Sequence, residues 1–146
     1  MFVVDYAPTE DATKGKKDKY MAALNNTVKP VPARGHFFVL NDANARTGKR
    51  GDGGGETDSK VLGAYGRDVL NENGKLLLGF AENNKLALLN TFFSTRKRGI
   101  SFTFQSANRG KGQARLEYIR TKQANRRLVR CVNARPAFFG VTGIGP

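Results

Sequence analysis

Asp42 and Asn44 are the residues whose types and spacing are best suited to chemistry. They follow the apolar run 36–40 and are separated by a single residue. Side chains two residues apart on a strand point to the same side of it. A carboxylate and an amide placed in this way could orient a water molecule and hold a phosphate oxygen. Taken alone, a D-x-N pair is more typical of a turn than of a phosphate site.

Strands and helices must position this pair, and the hydrophobic pattern predicts both. The segment that ends in Asp42 is a short apolar run bounded by polar residues, which is typical of a buried strand. No strict strand–helix–strand rhythm is present, so we expect an α/β (α+β) fold with helices outside sheet layers. Strands are predicted at 2–6, 36–41, 86–90, 101–105, 115–121 and 128–133, and helices at 16–28 and 73–84. Residues 1–135 would form one domain, followed by a divergent Gly-rich tail at 136–146.

The positive charge of the chain is concentrated in its last third. Residues 1–93 hold 13 basic and 11 acidic side chains, a net of +2, whereas residues 94–146 hold 12 basic and 1 acidic, a net of +11. Such a one-signed region attracts polyanions, and arginine pairs well with phosphate oxygens. We therefore expect nucleic acid, DNA or RNA, as the partner. A solvated basic segment with no specific partner is the alternative.

Cysteine usage and hydropathy bear on the compartment. Cys131 is the only cysteine, so an intramolecular disulfide is excluded. No apolar run approaches the length of a membrane span, and Met1 to Val4 is too short for the core of a signal peptide. We expect an intracellular protein, nuclear or cytoplasmic, that is neither secreted nor membrane-bound.

Short motifs along residues 2–133 resemble, in their order, the endonuclease/exonuclease/phosphatase family. The specific resemblance is to the endonuclease of LINE-type retroelements, including members known as craniofacial development protein-like, with the family pattern truncated here at both ends. Three motifs are similar to the family's Y-A-P-T, L-G-D-F-N-A-R and R-L-D-Y-I segments, in that order: Tyr6-Ala7-Pro8-Thr9, Leu40-Asn41-Asp42-Ala43-Asn44-Ala45-Arg46 and Arg115-Leu116-Glu117-Tyr118-Ile119. Two further motifs follow the retroelement pattern: Asn71-Glu72-Asn73-Gly74 and Asn90-Thr91-Phe92-Phe93.

The resemblance implies a fold and a reaction. The fold would be a partial β-sandwich with flanking helices, and the reaction Mg²⁺-assisted hydrolysis of a phosphodiester by water. Asp42 would align or deprotonate the water, while Asn44 and Tyr6 would donate to the phosphate. Glu117 occupies the position of a family Asp that pairs with a histidine. The nucleic-acid-binding set would comprise Asn71, Arg96, Lys97, Arg98, Arg109, Lys111, Arg115, Arg126 and Arg127.

Departures from the family pattern affect the residues that the activity needs. The family's metal-binding Glu would precede Phe2, and its closing S-D-H strand has no counterpart, so no metal ligand is assigned. His36 lies on the wrong strand for the catalytic histidine and is interpreted as structural. Glu117 is one methylene longer than the family Asp, and Arg120 places a charge where an apolar residue is expected.

Three hypotheses follow from these observations. The first is a fragment of a Mg²⁺-dependent endonuclease domain that is inactive by itself. The second is a non-catalytic basic protein that binds nucleic acid or has a structural role. In the third, which is less favoured, another chain supplies the missing half of the domain.

Overall fold

A four-stranded mixed sheet forms the centre of the protein in a computed structural model that describes residues 1–51, 59–95, 101–106 and 112–133. Its strands are β1 (Phe2–Tyr6), β2 (Phe38–Asp42), β3 (Leu86–Leu88) and β6 (Glu117–Lys122), in the order β1-β2-β6-β3. β1 runs parallel to β2, whereas β6 runs antiparallel to both β2 and β3. The predicted mixed α/β class is confirmed.

Two helices pack on one side of this sheet. Helix α1 (Lys14–Val28) begins at Thr13, whose hydroxyl accepts a hydrogen bond from the backbone N–H of Lys16. Helix α2 (Glu72–Asn83) carries the apolar face that packs into the core. Its buried residues include Leu77, Leu78, Phe80 and Ala81, which recur at the spacing of one helix face.

The two faces of the sheet differ because strand side chains alternate. Val3, Val39 and Tyr118 point toward the helices and join the hydrophobic core. The opposite face carries Phe2 and Val4, which are 75% and 80% exposed. The sheet therefore has one packed face and one open face along its β1–β2 side.

A second, small hairpin lies downstream of β3. Strands β4 (Phe104–Gln105) and β5 (Gln113–Ala114) pair antiparallel. The strands predicted at 101–105 and 115–121 are therefore shorter or shifted, since β4 keeps two residues of the first and β6 begins at Glu117. No helix among the residues that the structure describes is long and apolar enough to cross a membrane.

The strand predicted at 128–133 is wrong. A 3₁₀ helix occupies Gln123–Leu128, directly after β6, and is longer than the 3₁₀ turn at Leu89–Thr91 that follows β3. Within this 3₁₀ helix, the side chain of Asn125 donates to the carbonyl of Gly35 at 2.7 Å, which fixes the helix against the loop that precedes β2. The backbone N–H of Val129 bonds back to Arg126, so residues in this region make local turns rather than strand pairs.

Arg120 lies inside the protein, at 0% exposure, on the packed face of β6. Its guanidinium stands 3.7 Å from the carboxylate of Asp5 and 5.4 Å from the ring centre of Phe80. None of its three nitrogens has a hydrogen-bond partner among the described residues. Burial lowers the pKa of Arg120 and raises that of Asp5, although the neighbouring Arg120 charge opposes the Asp5 shift.

A cavity of about 30 Å³ adjoins this pair, and Arg120, Asn41 and Tyr20 contribute to its wall. Roughly 10–15 Å³ is enough for one water molecule, so the cavity could hold one or two that bridge the polar groups. Burial, the largest cause, raises the pKa of Tyr20 to about 12, so its hydroxyl stays neutral. The Asp5–Arg120 pair is a buried ion pair of poor geometry, which contributes little net stability.

We expect that replacing both charges stabilises the fold. Asp5→Asn/Arg120→Met should raise the free energy of unfolding by about 1–3 kcal/mol, because neither desolvated charge is then present. Asp5→Asn alone should lower it by about 3 kcal/mol, because the guanidinium loses its only nearby countercharge among the described residues. Urea denaturation measures both, and a double variant less stable than the wild type would contradict this account.

Candidate active site

Tyr6, Asp42 and Glu117 form one row across three strands. Tyr6 is paired with Asp42 in the β1–β2 register, and Asp42 is paired with Glu117 in the β2–β6 register. Directly opposed residues share a face of the sheet, with Cα atoms about 4.5–5.5 Å apart in an antiparallel pair. We name this row, Tyr6–Asp42–Glu117, the carboxylate row. It lies on the open face, at the end of the sheet where β1 and β2 finish.

The side chains of the carboxylate row are accessible. Tyr6 is 67% exposed, Glu117 is exposed and Asp42 is half-buried. Partial burial, and secondarily the negative charge of Asp42, raise the pKa of Glu117 above its usual value. The two carboxylates therefore interact, and a proton or a cation between them would relieve their repulsion.

Asn44 is brought to the same corner, but its contacts are structural. Its backbone adopts φ +44°, a left-handed conformation that asparagine tolerates better than most residues. Its N–H donates to the Asp42 carboxylate at 3.1 Å, which forms the turn that the D-x-N pair taken alone favours. Its Nδ2 donates to the carbonyl of Ala7 at 2.8 Å, so Asn44 links the ends of β1 and β2.

Asn71 serves as the N-cap of α2. Its Oδ1 accepts from the backbone N–H of Gly74 at 2.8 Å and from that of Arg46 at 2.9 Å. The side chain thus fixes the start of the helix to the loop after β2. Both contacts use the oxygen, so the Nδ2 group is the part of Asn71 available for other contacts.

Glu10 and Asn73 are site residues that the sequence analysis missed. The Glu10 carboxylate accepts from the backbone N–H groups of Glu72 and Asn73, at 3.0 and 3.1 Å. It therefore occupies the positive end of α2, where an anion is stabilised. Asn73 Nδ2 donates to the carbonyls of Pro8 and Asn44. These partners lie 29 to 65 residues apart in the sequence, so no local motif reveals them.

The basic residues predicted to bind nucleic acid divide into different environments. Arg115 is buried, and its guanidinium donates to the carbonyls of Ser101 and Tyr65, both at 3.0 Å. Arg126 and Arg127 are exposed on the 3₁₀ helix, where Arg126 stacks 4.6 Å above the ring centre of Phe92. Five predicted residues lie outside the described ones: Arg96, Lys97, Arg98, Arg109 and Lys111.

Two carboxylates are a minimal set for a divalent cation. No group of three or more His, Cys, Asp or Glu side chains is close enough to hold a metal among the described residues. His36 is exposed and lies before β2, at the opposite end of that strand from Asp42. Mg²⁺ is commonly held by one or two carboxylates together with water and substrate phosphates. Asp42 and Glu117 fit that arrangement only if a bound phosphate supplies further oxygens.

The opposed carboxylates make a prediction about stability. Glu117→Gln should raise the free energy of unfolding at neutral pH by about 0.5 kcal/mol, because like charges directly across a sheet are destabilising. The raised pKa means that the stability contributed by Glu117 is present below its unfolded pKa and is lost as pH rises through its folded pKa.

The gain from Glu117→Gln over the wild type should therefore grow through that pH window and then level off. Urea denaturation at several pH values measures it. Glu82→Gln, a substitution at an exposed position of α2, is the matched control and should show no such gain. An equal gain in both variants would contradict the pairing of Asp42 with Glu117.

Comparison with known proteins supports one part of the resemblance. No family model matches the chain, and no solved structure matches it. Craniofacial development protein 2 of Bos taurus is 28% identical over 131 residues, which cover 90% of this chain, and that of Tragulus javanicus matches equally well. The chain spans about a fifth of the length of these curated relatives, 21% of each. It is thus similar, at the level of distant homology, to craniofacial development protein 2.

Proposed function

We propose that this chain is a fragment of a Mg²⁺-dependent phosphodiesterase domain of the retroelement endonuclease type, inactive by itself, that binds nucleic acid. The observation that carries the proposal is the carboxylate row, in which Tyr6, Asp42 and Glu117 occupy one register row on an accessible face. The ordered motifs between residues 2 and 133 supply the link to phosphodiester chemistry.

The chemistry follows from the side chains in that row. Asp42 is half-buried and can accept a proton from a water molecule or orient it toward phosphorus. The Tyr6 hydroxyl, two-thirds exposed, can donate to a phosphate oxygen as negative charge develops on it. A Mg²⁺ ion, held by Asp42 and Glu117 with the substrate phosphate, would supply charge stabilisation. Asn44 Nδ2 has one remaining hydrogen for the same phosphate, because its other contact is Ala7.

We expect negligible hydrolysis from the chain alone. Two adjacent carboxylates provide few fixed ligands for a cation, and among the described residues no histidine lies near them. The hydrogen bond that Glu117 makes to the hydroxyl of Thr103 comes from its backbone N–H and does not fix its carboxylate. Catalysis is sensitive to displacements on the order of an ångström, so an unfixed carboxylate is a poor catalytic group.

Binding does not need the metal or a fixed carboxylate. Exposed arginines on and after the 3₁₀ helix, Arg126, Arg127 and Arg130, offer forked donors for phosphate oxygens. Half of the 12 cations after residue 93 lie among the described residues, and three of those six are buried. The surface charge available for binding is therefore smaller than the sequence total of +11 implies.

A salt titration tests the binding. If about five cations contact phosphates, log K for duplex DNA should fall with log salt at a slope of about −4 to −5. Arg127→Gln/Arg130→Gln should reduce the magnitude of the slope by about 2, because two contacts are lost. Lys16→Gln/Lys19→Gln, with the same change in charge on exposed positions of α1, should leave it nearly unchanged. A flat salt response of the wild type would remove the nucleic-acid proposal.

A nicking assay on supercoiled plasmid tests the lack of catalysis. With and without Mg²⁺, the wild type should nick no faster than Asp42→Ala, because the carboxylate row alone does not assemble a catalytic site. Asp18→Ala, at an exposed position of α1, controls for the loss of an acidic residue. Mg²⁺-dependent nicking that persists in Asp18→Ala and disappears in Asp42→Ala would contradict the inactive assignment.

A further inference from the structure

A second cavity lies at the other end of the sheet from the carboxylate row. Its volume is about 420 Å³, within the range of small-molecule sites. Three lysines from separate elements line it: Lys29 after α1, Lys85 before β3 and Lys122 at the end of β6. We name it the lysine pocket. Lys122 is five positions along β6 from Glu117, or about 17 Å at the rise of a strand.

The charge of Lys122 is poorly compensated. The residue is 6% exposed, and burial lowers the pKa of its amine. Its Nζ donates to the carbonyl of Asn84 at 3.1 Å, which uses one of the three ammonium hydrogens. Among the described residues that line the pocket there is no Asp or Glu. Lys122 is therefore a buried cation beside an open cavity, and the wall of that cavity contributes no acidic side chain to pair with it.

The C-terminal ends of the two helices compensate only part of the positive charge of the lysine pocket. Lys29 is the C-cap of α1 and Asn84 the C-cap of α2, so both helices direct their negative ends at the pocket. Each helix end carries a partial charge of about −0.5, which offsets only part of the positive charge of the buried Lys122 and the two exposed lysines. The pocket therefore keeps a net positive charge, which an anion would balance.

We propose that the lysine pocket binds a phosphate group, supplied either by free phosphate or pyrophosphate or by the backbone of a nucleic acid. A phosphate offers several oxygens in a tetrahedral arrangement, so it suits a cavity whose three lysines come from different parts of the chain. A carboxylate offers two oxygens and a single charge. Lysine is a common phosphate ligand that acts as a point charge. The site is separate from the carboxylate row, so it does not depend on the proposed phosphodiesterase origin.

Titration of the ¹⁵N-labelled full chain with inorganic phosphate and with pyrophosphate tests this proposal. The expected result is chemical-shift changes that cluster at the amides of Lys85, Lys122 and Gln123, which surround the pocket. Lys29→Gln/Lys85→Gln should weaken pyrophosphate binding about tenfold, as expected for the loss of two exposed ion pairs. Both lysines are exposed, so these substitutions leave the core unchanged.

The control is Lys16→Gln/Lys19→Gln, which removes the same charge from α1. Lys16 stands 13 residues before Lys29, about 20 Å along the helix axis. This variant should change the pyrophosphate affinity less than twofold. Equal weakening in both double variants would overturn the proposal, since only net charge would then matter. No binding of either anion, or shift changes confined to other regions, would overturn it as well.

Duplex DNA distinguishes the two sources of phosphate. If Lys29→Gln/Lys85→Gln also weakens DNA binding, and pyrophosphate competes with DNA, the pocket takes a backbone phosphate. If DNA affinity is unchanged while pyrophosphate binding is lost, the pocket takes a free phosphate. Arg127→Gln/Arg130→Gln should leave pyrophosphate binding intact, so failure of the nucleic-acid proposal and failure of this one give different results. A glutamate-rich peptide that occupies the pocket as tightly as pyrophosphate would overturn the preference for phosphate.

Discussion

The antiparallel register between β2 and β6 is the constraint on which the other features of the sheet depend. It places Asp42 opposite Glu117 and, three residues farther along, Val39 opposite Arg120. Because side chains alternate between faces, Glu117 faces the open side only if Arg120 faces the core. A shift of one residue would expose Arg120 but would turn Tyr118 out of the core and Glu117 into it. The chain therefore keeps a buried guanidinium as a consequence of the register that forms the carboxylate row.

The main elements could be predicted from the sequence because local rules determine them. The apolar runs before Tyr6 and Asp42 form β1 and β2, and the periodic segments form α1 and α2 within two residues of the predicted bounds. The strand predicted at 128–133 failed for a different reason. Its apolar residues Leu128 and Val129 resemble a strand, but an amide at Asn125 bonds to Gly35, 90 residues away. Contacts over such a distance override local preference: a 3₁₀ helix ends at Leu128, and residues 129–133 continue without regular secondary structure.

The candidate site also contains some features that the sequence predicts and others that depend on distant contacts. The order of the motifs placed Tyr6, Asp42 and Glu117 in one region, and the strand register brings them together as a row. The turn at Asn44 could be anticipated from the D-x-N pair, but the capping role of Asn71 could not, because an amide that caps a helix and one that holds a phosphate look alike. Glu10 shows most clearly what the sequence could not predict, since its carboxylate binds the N-terminus of a helix that begins 62 residues later. Its role depends entirely on the three-dimensional fold.

Charge totals proved a weaker guide than charge placement. The basic excess of the last third includes three buried residues, Arg115, Arg120 and Lys122. Their environments differ, since Arg115 is hydrogen-bonded to two carbonyls whereas the guanidinium of Arg120 has no hydrogen-bond partner among the described residues. Arg115 makes good hydrogen bonds to two carbonyls and has become part of the scaffold. Lys122 donates to the carbonyl of Asn84 and also lines an open cavity, where an anion would offset the rest of its desolvation. A buried cation that lines a cavity is thus better evidence for a ligand than several exposed ones, because solvent already satisfies the exposed charges.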